Sequence, residues 1–280
     1  MQLSYTLKKI QYRVIRKVKD AGLYIFFIFF ILFYTRNPLQ LLSDLLLKRP
    51  LIYRLKSGYI FETGICDIRA ALALHEIYVQ RVYTKTLEIG ADDTVVDIGA
   101  TFGDFSLLAA GKTSGRVIAC EPIPENIRLL KRNIRANRIK NIQVEAVAIG
   151  RRGKRRKLFL SSTTEQHSFY NRDININWDK KIFVPSLTLV ELMHKYHIKQ
   201  IDFLKLDCEG AEGEIFYSTP QIYLKRMGKI VMEYHNTVSR LSHIQIARIL
   251  EKAGFAVWID GKSGYPYGYI SAQNKFLNKS

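Results

Sequence analysis

The sequence predicts an α/β protein built on a doubly wound, Rossmann-like sheet, mostly parallel, with helices on both faces. Two observations predict it. From residue 94 onward, apolar runs of strand length alternate with helical segments, and that alternation builds a parallel sheet covered by helices. The first of these strands runs into a glycine-bearing turn, Asp97-Ile98-Gly99-Ala100-Thr101-Phe102-Gly103, with a helical pattern directly behind it. In such sheets ligands lie beyond the carboxyl ends of the strands, where the strand order switches. A chain of 280 residues, 48% hydrophobic, suffices for one large domain with an appendage.

The chain opens on a strongly basic segment. Residues 1–56 hold eleven Lys and Arg against two Asp, which is half of the net charge of +18. A second knot, residues 151–157 (RRGKRRK), places six cations in seven positions. Such charge calls for an anionic partner: membrane headgroups, nucleic acid or an acidic glycan. Residues 21–34 (AGLYIFFIFFILFY) carry no charge, but they fall short of the ~20 residues that cross a bilayer as a helix. No small-residue cleavage site follows them. The expectation is a helix lying in the membrane interface, helped by the cations of residues 8–56; a helix packed on protein is the alternative. The three cysteines, Cys66, Cys120 and Cys208, are scattered and form no CxxC pair, so neither a disulfide framework nor a zinc site is expected.

The remaining elements follow in order. Residues 37–50 read as a short amphipathic helix closed by Pro50, and residues 51–62 as a hairpin turning at Ser57-Gly58. A helical stretch runs over residues 67–84. Strands are expected at 94–98, 116–120, 142–147, 201–206, 230–233, 256–259 and 267–271, and helices at 103–110, 124–137, 187–197 and 242–253. Residues 150–184 form a β-rich, polar insertion. The expected organisation is a basic and hydrophobic helical segment (1–50), a hairpin and helix packing on the core (51–90), and the α/β domain (91–280).

The glycine turn is neither GxGxxG nor a P-loop. An acidic residue, Asp97, stands two positions before the first glycine. A carboxylate there repels a pyrophosphate and suits a ligand with a cationic end. S-adenosyl-L-methionine has an ammonium and a sulfonium and no phosphate, so it is the expected cofactor. The second strand runs into Glu121, 24 residues after Asp97, where an acid accepts hydrogen bonds from ribose hydroxyls. Gly99, Ala100, Thr101, Phe102 and Gly103 of the turn, with Pro122 and Asn126 beyond the second strand, complete the expected cofactor contacts. Glu145, at the third strand tip, is a candidate adenine contact. A cofactor made in the cytosol places the protein in the cytoplasm, at the membrane face.

The fourth strand runs into Lys205-Leu206-Asp207-Cys208-Glu209-Gly210-Ala211-Glu212, and the fifth into Glu233-Tyr234-His235-Asn236. Both tips neighbour the first strand in a doubly wound sheet. Methyl transfer to oxygen needs a positioned hydroxyl and a base for its proton. Asp207, Glu209, Glu233 and His235 are the candidate catalytic set, His235 because an imidazole titrates near neutrality. Alternation turns Glu233 and His235 to one side of the strand and Tyr234 to the other. A divalent ion on Asp207, Glu233 and His235 is chemically feasible, but nothing in the pattern requires it and no metal is assigned. DPPY and NPPY are absent, which argues against methylation of base amino groups.

The segments VVDIGATFGDFSLLAA (95–110), VIACEPIPENIRLLKRNI (117–134), VAIG (147–150) and IDFLKLDCEGAEGEIF (201–216) together resemble the FkbM-type methyltransferases, with VMEYH (231–235) and LIYRLKSGYIF (51–61) in support. The resemblance covers roughly residues 51–270; Thr101 stands where the family usually has Asn. It implies a class I methyltransferase fold, a seven-stranded sheet whose last strand is antiparallel, and O-methylation of sugar, polyketide or lipid-linked hydroxyls. By resemblance, Asp97, Gly99, Gly103, Glu121 and Asn126 bind cofactor, while Asp207, Glu209 and Glu212 shape the catalytic pocket. Two other functions stay open. The basic surface could hold RNA phosphates for an RNA methyltransferase, or the domain could bind cofactor without catalysis. The Tyr265-Pro266-Tyr267-Gly268-Tyr269 stretch either stacks on a sugar or merely turns into the last strand.

Overall fold

A computed structural model describes residues 21–151, 153, 155–159, 181–261 and 266–277. The chain divides into two compact units, Met1–Val79 and Gln80–Ser280.

In the first unit, residues 21–34 form helix α1. Phe27, Phe30 and Ile31 are fully buried, one helical face at i, i+3, i+4 spacing, and Tyr53 meets both phenylalanines edge-on at 6.4 and 6.2 Å. Thr35 ends the helix by donating its hydroxyl to the Ile31 carbonyl at 2.6 Å. Helix α2 (Pro38–Leu46) starts with proline at its first turn, where a missing N–H costs nothing. It stops at Leu46 rather than at residue 50, because Pro50 already opens strand β1 (Pro50–Arg54), paired antiparallel with β2 (Ile60–Ile65). The turn between them carries Gly58 at φ +102°. The helix expected over 67–84 is shorter: α3 (Ala70–His75) continues into one π-helical segment, Glu76–Gln80. Among the described residues, no helix is long and apolar enough to cross a membrane.

The second unit holds the predicted sheet. Its seven strands are β3 (Val95–Ile98), β4 (Val117–Cys120), β5 (Ile142–Glu145), β9 (Ile201–Leu206), β10 (Met227–His235), β11 (Phe255–Asp260) and β12 (Tyr267–Asn274), in the order β11-β12-β10-β9-β3-β4-β5. The pairs from β10 to β5 are all parallel, while β12 runs antiparallel to both neighbours. Every residue of β3, β4 and β9 is buried, as strands covered on both faces must be. The chain leaves β3 outward through β4 and β5, then returns to β9 on the other side, so the switch lies between β3 and β9. Helix α4 (Asp104–Lys112) packs on β3, β4 and β5, α5 (Pro124–Ala136) on β5, and α9 (His243–Lys252) on β11 and β12.

Four details depart from the sequence pattern. Strand β5 ends at Glu145, because Ala148–Ile149 turns away as β6 into a second sheet, ordered β6-β8-β7 with β7 (Arg155–Phe159) and β8 (Lys181–Leu187). This sheet is the described part of the insertion, and residues 160–180 lie outside the described residues. Helix α6 (Leu189–Lys195) is held by a capping box, Thr188 with Glu191. Helices α7 (Glu212–Ser218) and α8 (Gln221–Leu224) have no counterpart in the pattern. Glu214 of α7 pairs with Arg156 of β7 at 2.8 Å, which ties the insertion to that helix.

Candidate functional site

The loops after β3 and β9 touch. Gly99 has φ +83°, and a Cβ there would stand 1.8 Å from the Asp207 carbonyl oxygen; only glycine admits that approach. One buried cation links the same two tips. Lys205 Nζ donates to the Gly99 carbonyl at 2.9 Å and pairs with Asp97 Oδ1 at 3.2 Å. Ser106 donates its hydroxyl to Asp97 Oδ2 at 2.5 Å. Burial alone pushes the Lys205 ammonium down, but the Asp97, Asp207 and Asp104 carboxylates hold it above the ordinary lysine value. Asp104, buried beside them, is raised to about 6 by burial, with Lys205 opposing the rise.

This network corrects the reading of Asp97 as a ligand carboxylate. It is fully buried and answered by Lys205, and it does not line the cleft. The reason is lateral: Asp97 and Lys205 are register partners on adjacent strands, a neighbour that no spacing along the chain reveals.

An open cleft lies over the carboxyl ends of β3, β4 and β9. Of the ten expected cofactor contacts, Gly99, Thr101, Glu121, Pro122 and Asn126 line it. Glu121 is its organising residue. Its Oε2 accepts from the Thr101 amide at 3.0 Å, and its Oε1 from the Ile123 amide at 2.8 Å and Asn126 Nδ2 at 3.3 Å. Burial raises its pKa to about 7 against the lowering effect of these donors.

The other five contacts lie elsewhere. Ala100 and Phe102 are buried beneath the loop, and the Phe102 carbonyl accepts from Asn133 at 2.8 Å. Gly103 caps α4 at φ +95°, where a Cβ would meet Leu130 at 2.5 Å, so its role is packing. Glu145 is not an adenine contact here: its carboxylate binds Lys195 at 2.8 Å and the Tyr196 hydroxyl at 2.5 Å, because β5 ends against α6.

The acidic residues do converge. Asp207 and Glu209 line the cleft. Glu212 opens α7 fully buried, and its Oε1 accepts from the amides of Cys208 and Gly210, both at 3.2 Å. It holds the loop from which Asp207 and Glu209 project. His235, at the end of β10, has Nε2 3.6 Å from Glu209 and 3.8 Å from Glu233, and Nδ1 3.4 Å from Glu212. Tyr234 points the other way and stacks on His243 at 4.4 Å. Burial lowers the His235 pKa, but Glu212, Glu209 and Glu233 outweigh it and lift it well above 6.5. His235 thus sits among the three carboxylates Glu209, Glu212 and Glu233.

Tyr83 joins this group unforeseen, donating its hydroxyl to Asp207 Oδ2 at 2.9 Å. At 124 residues from its partner, it carried no sequence signal. Lys205 did carry one: a lysine inside an apolar strand, IDFLKL, must find a buried acid. Asp207, Glu233 and His235 also bring one ligand atom each within 4.8 Å of one another, a spacing that could hold a metal ion.

A family profile described as "Methyltransferase FkbM domain" matches residues 97–257. "Methyltransferase 1" of Beauveria bassiana (strain ARSEF 2860) is 22% identical over 203 residues, covering 66% of this chain and 80% of its own length. Similar solved structures include the methyltransferase FkbM from Methylobacillus flagellatus KT, with a TM-score of 0.46 at 13% identity over 74% of this chain and 54% of that one. Precorrin-6y C5,15-methyltransferase from Geobacter metallireducens GS-15 gives a TM-score of 0.41 at 16% identity, over 75% of this chain and 90% of that one.

Replacing Lys205 by Met leaves Asp97 buried without its cation, so Lys205→Met should lower stability by about 3–5 kcal/mol. Urea unfolding measures this, and a loss under about 1 kcal/mol would show that the cluster does not bind the two strand tips.

Proposed function

The chain belongs to the FkbM methyltransferase family, and from that premise we propose that it moves a methyl group from S-adenosyl-L-methionine to a hydroxyl of a glycan, glycolipid or related metabolite. The observation that carries this reading is Glu121, a buried carboxylate at the floor of the β3–β4 cleft, with Thr101 and Asn126 bonded to it. It fits the paired hydroxyls of a ribose. Ile123, Ile149 and Leu158 supply an apolar wall of the same cleft, suited to an adenine ring. S-adenosyl-L-methionine, when bound, supplies an electrophilic methyl group on a sulfonium. Asp207 and Glu209 face the cleft from the β9 side, where negative charge favours a cationic ligand. The acceptor's proton falls to the carboxylates of Asp207, Glu209 and Glu233.

The β12 strand supports a sugar as acceptor. Tyr269 is the register partner of Glu233, and Tyr267 that of His235; Tyr267 is 53% exposed. Aromatic rings beside a carboxylate cluster offer a stacking face and hydrogen-bond acceptors together. The RNA alternative loses part of its basic knot, since Arg156 is paired with Glu214 and 12% exposed. Residues 152 and 154 of that knot lie outside the described residues.

The N-terminal unit supports docking at the cytoplasmic face of an anionic membrane. Helix α1 has two apolar faces. One is packed, and the other exposes Ile25 (72%), Phe29 (43%), Leu32 (53%) and Phe33 (59%). The basic residues 8–19 precede that stripe, and Arg36, Lys48, Arg49, Arg54 and Lys56 belong to the same unit. An apolar stripe in a basic unit fits an interfacial helix.

Three outcomes test these readings. With methyl-labelled cofactor, label should enter ether-linked methyl groups on hydroxylated glycan or glycolipid acceptors; label entering an RNA transcript instead would reject the acceptor class. S-adenosylhomocysteine affinity, measured calorimetrically, should be flat above pH 7 and fall about tenfold per unit below it, because binding needs the ionised form of a carboxyl whose free value is about 7. Glu121→Gln should remove that slope and weaken binding roughly 10- to 100-fold, and an unchanged profile would overturn the ribose assignment. The full chain should float with vesicles containing phosphatidylglycerol but not with pure phosphatidylcholine. Ile25→Asp with Phe29→Asp should abolish flotation, and its survival in that variant would exclude the stripe.

A further inference from the structure

The tips of β9 and β10 concentrate negative charge beyond what their own cations balance. Asp207, Glu209, Glu212 and Glu233 surround one imidazole, His235. The ammonium on Asp207's own strand, Lys205, is already engaged by Asp97 and the Gly99 carbonyl. In a chain of net charge +18, such a cluster is a local inversion of sign, and a cationic ligand would stabilise it.

Geometry narrows the ligand. One atom each from Asp207, Glu233 and His235 lies within 4.8 Å of the others, and Glu233 Oε1 is 3.8 Å from His235 Nε2. Two ligands of one ion, at bonds of about 2.1 Å, stand about 3.0 Å apart when adjacent and about 4.2 Å when opposite. A small inward movement of side chains therefore brings all three onto a single ion. A second observation points the same way. Glu212 is fully buried, its Oε1 faces His235 Nδ1 at 3.4 Å, and its Oε2 has no hydrogen-bond partner among the described residues. A carboxylate behind an imidazole is the arrangement that orients a metal-ligating histidine, and a buried acceptor left unsatisfied is costly without such a purpose.

We propose that Asp207, Glu233 and His235 form a divalent-cation site, with Glu212 as the positioning carboxylate behind His235. One imidazole with two carboxylates suits Mn²⁺ or a like ion. The proposal rests on the methyl-transfer reading and narrows its acceptor. Asp207 belongs both to this site and to the cofactor cleft, so an ion there stands where the acceptor hydroxyl must come. Such an ion would make a nearby acceptor hydroxyl, as in a sugar diol, more acidic, and Glu209 would take its proton.

Mn²⁺ titrated into the metal-free, tag-free full chain, followed by loss of the free-ion electron paramagnetic resonance signal, tests the site. One ion per chain is expected, with a dissociation constant below roughly 0.1 mM and at least about tenfold weaker binding in both Glu233→Gln and Asp207→Asn. S-adenosylhomocysteine binding, read separately by calorimetry, should survive in Glu233→Gln, since Glu233 does not line the cofactor cleft; that also certifies the fold. Unchanged Mn²⁺ affinity in both variants, or no stoichiometric binding, overturns the site and leaves the cofactor reading standing. Mn²⁺ bound by a chain that ignores S-adenosylhomocysteine supports the site and removes the methyl-transfer reading.

Discussion

The switch point of this fold depends on one buried ammonium. Lys205 lies on the strand next to β3 and reaches both the Asp97 carboxylate and the Gly99 carbonyl. An isolated charge in that interior would be expensive, and so would Asp97 alone. Together they fix the height at which the β3 and β9 loops meet, and Gly99 allows the Asp207 backbone to close on them. The meeting of these loops is thus set by a buried ion pair beneath the cleft. Asp97 pairs with Lys205 beneath the cleft, while Glu121 lines it.

Above that pair the charge changes sign. The chain as a whole is strongly basic, whereas the strand tips carry Asp207, Glu209, Glu212, Glu233 and Glu121. A low-dielectric wall sharpens the field of these carboxylates. The same carboxylates raise the His235 pKa against the lowering effect of its burial.

Much of the fold was legible because strands covered on both faces are apolar throughout. The segments VVDI, VIAC and IDFLKL could be read directly. Helix α9 was legible from Ser242 at its start, which the structure shows in a capping box with Gln245. The elements that were missed or misjudged depend on contacts distant in sequence. Helix α7 follows an acidic loop held by Glu212, and β5 stops early because Ala148–Ile149 pairs with β8 instead. The aromatic segment 21–34 read as membrane-facing or packed, and the structure makes one face packed and leaves the other exposed.

By itself the sequence determined the class of the sheet, the place of the site at the strand tips, and the family. Each of these follows from local pattern: periodicity, glycine in a turn, acids after apolar runs. Only the tertiary structure decided which acids face the cleft. Asp97 and Glu145 are drawn to Lys205 and Lys195, while Glu121 stays on the cleft wall and Tyr83 arrives beside Asp207. A carboxylate's role is set by the charge lying across from it, and in a parallel sheet that charge comes from a strand or helix tens of residues away.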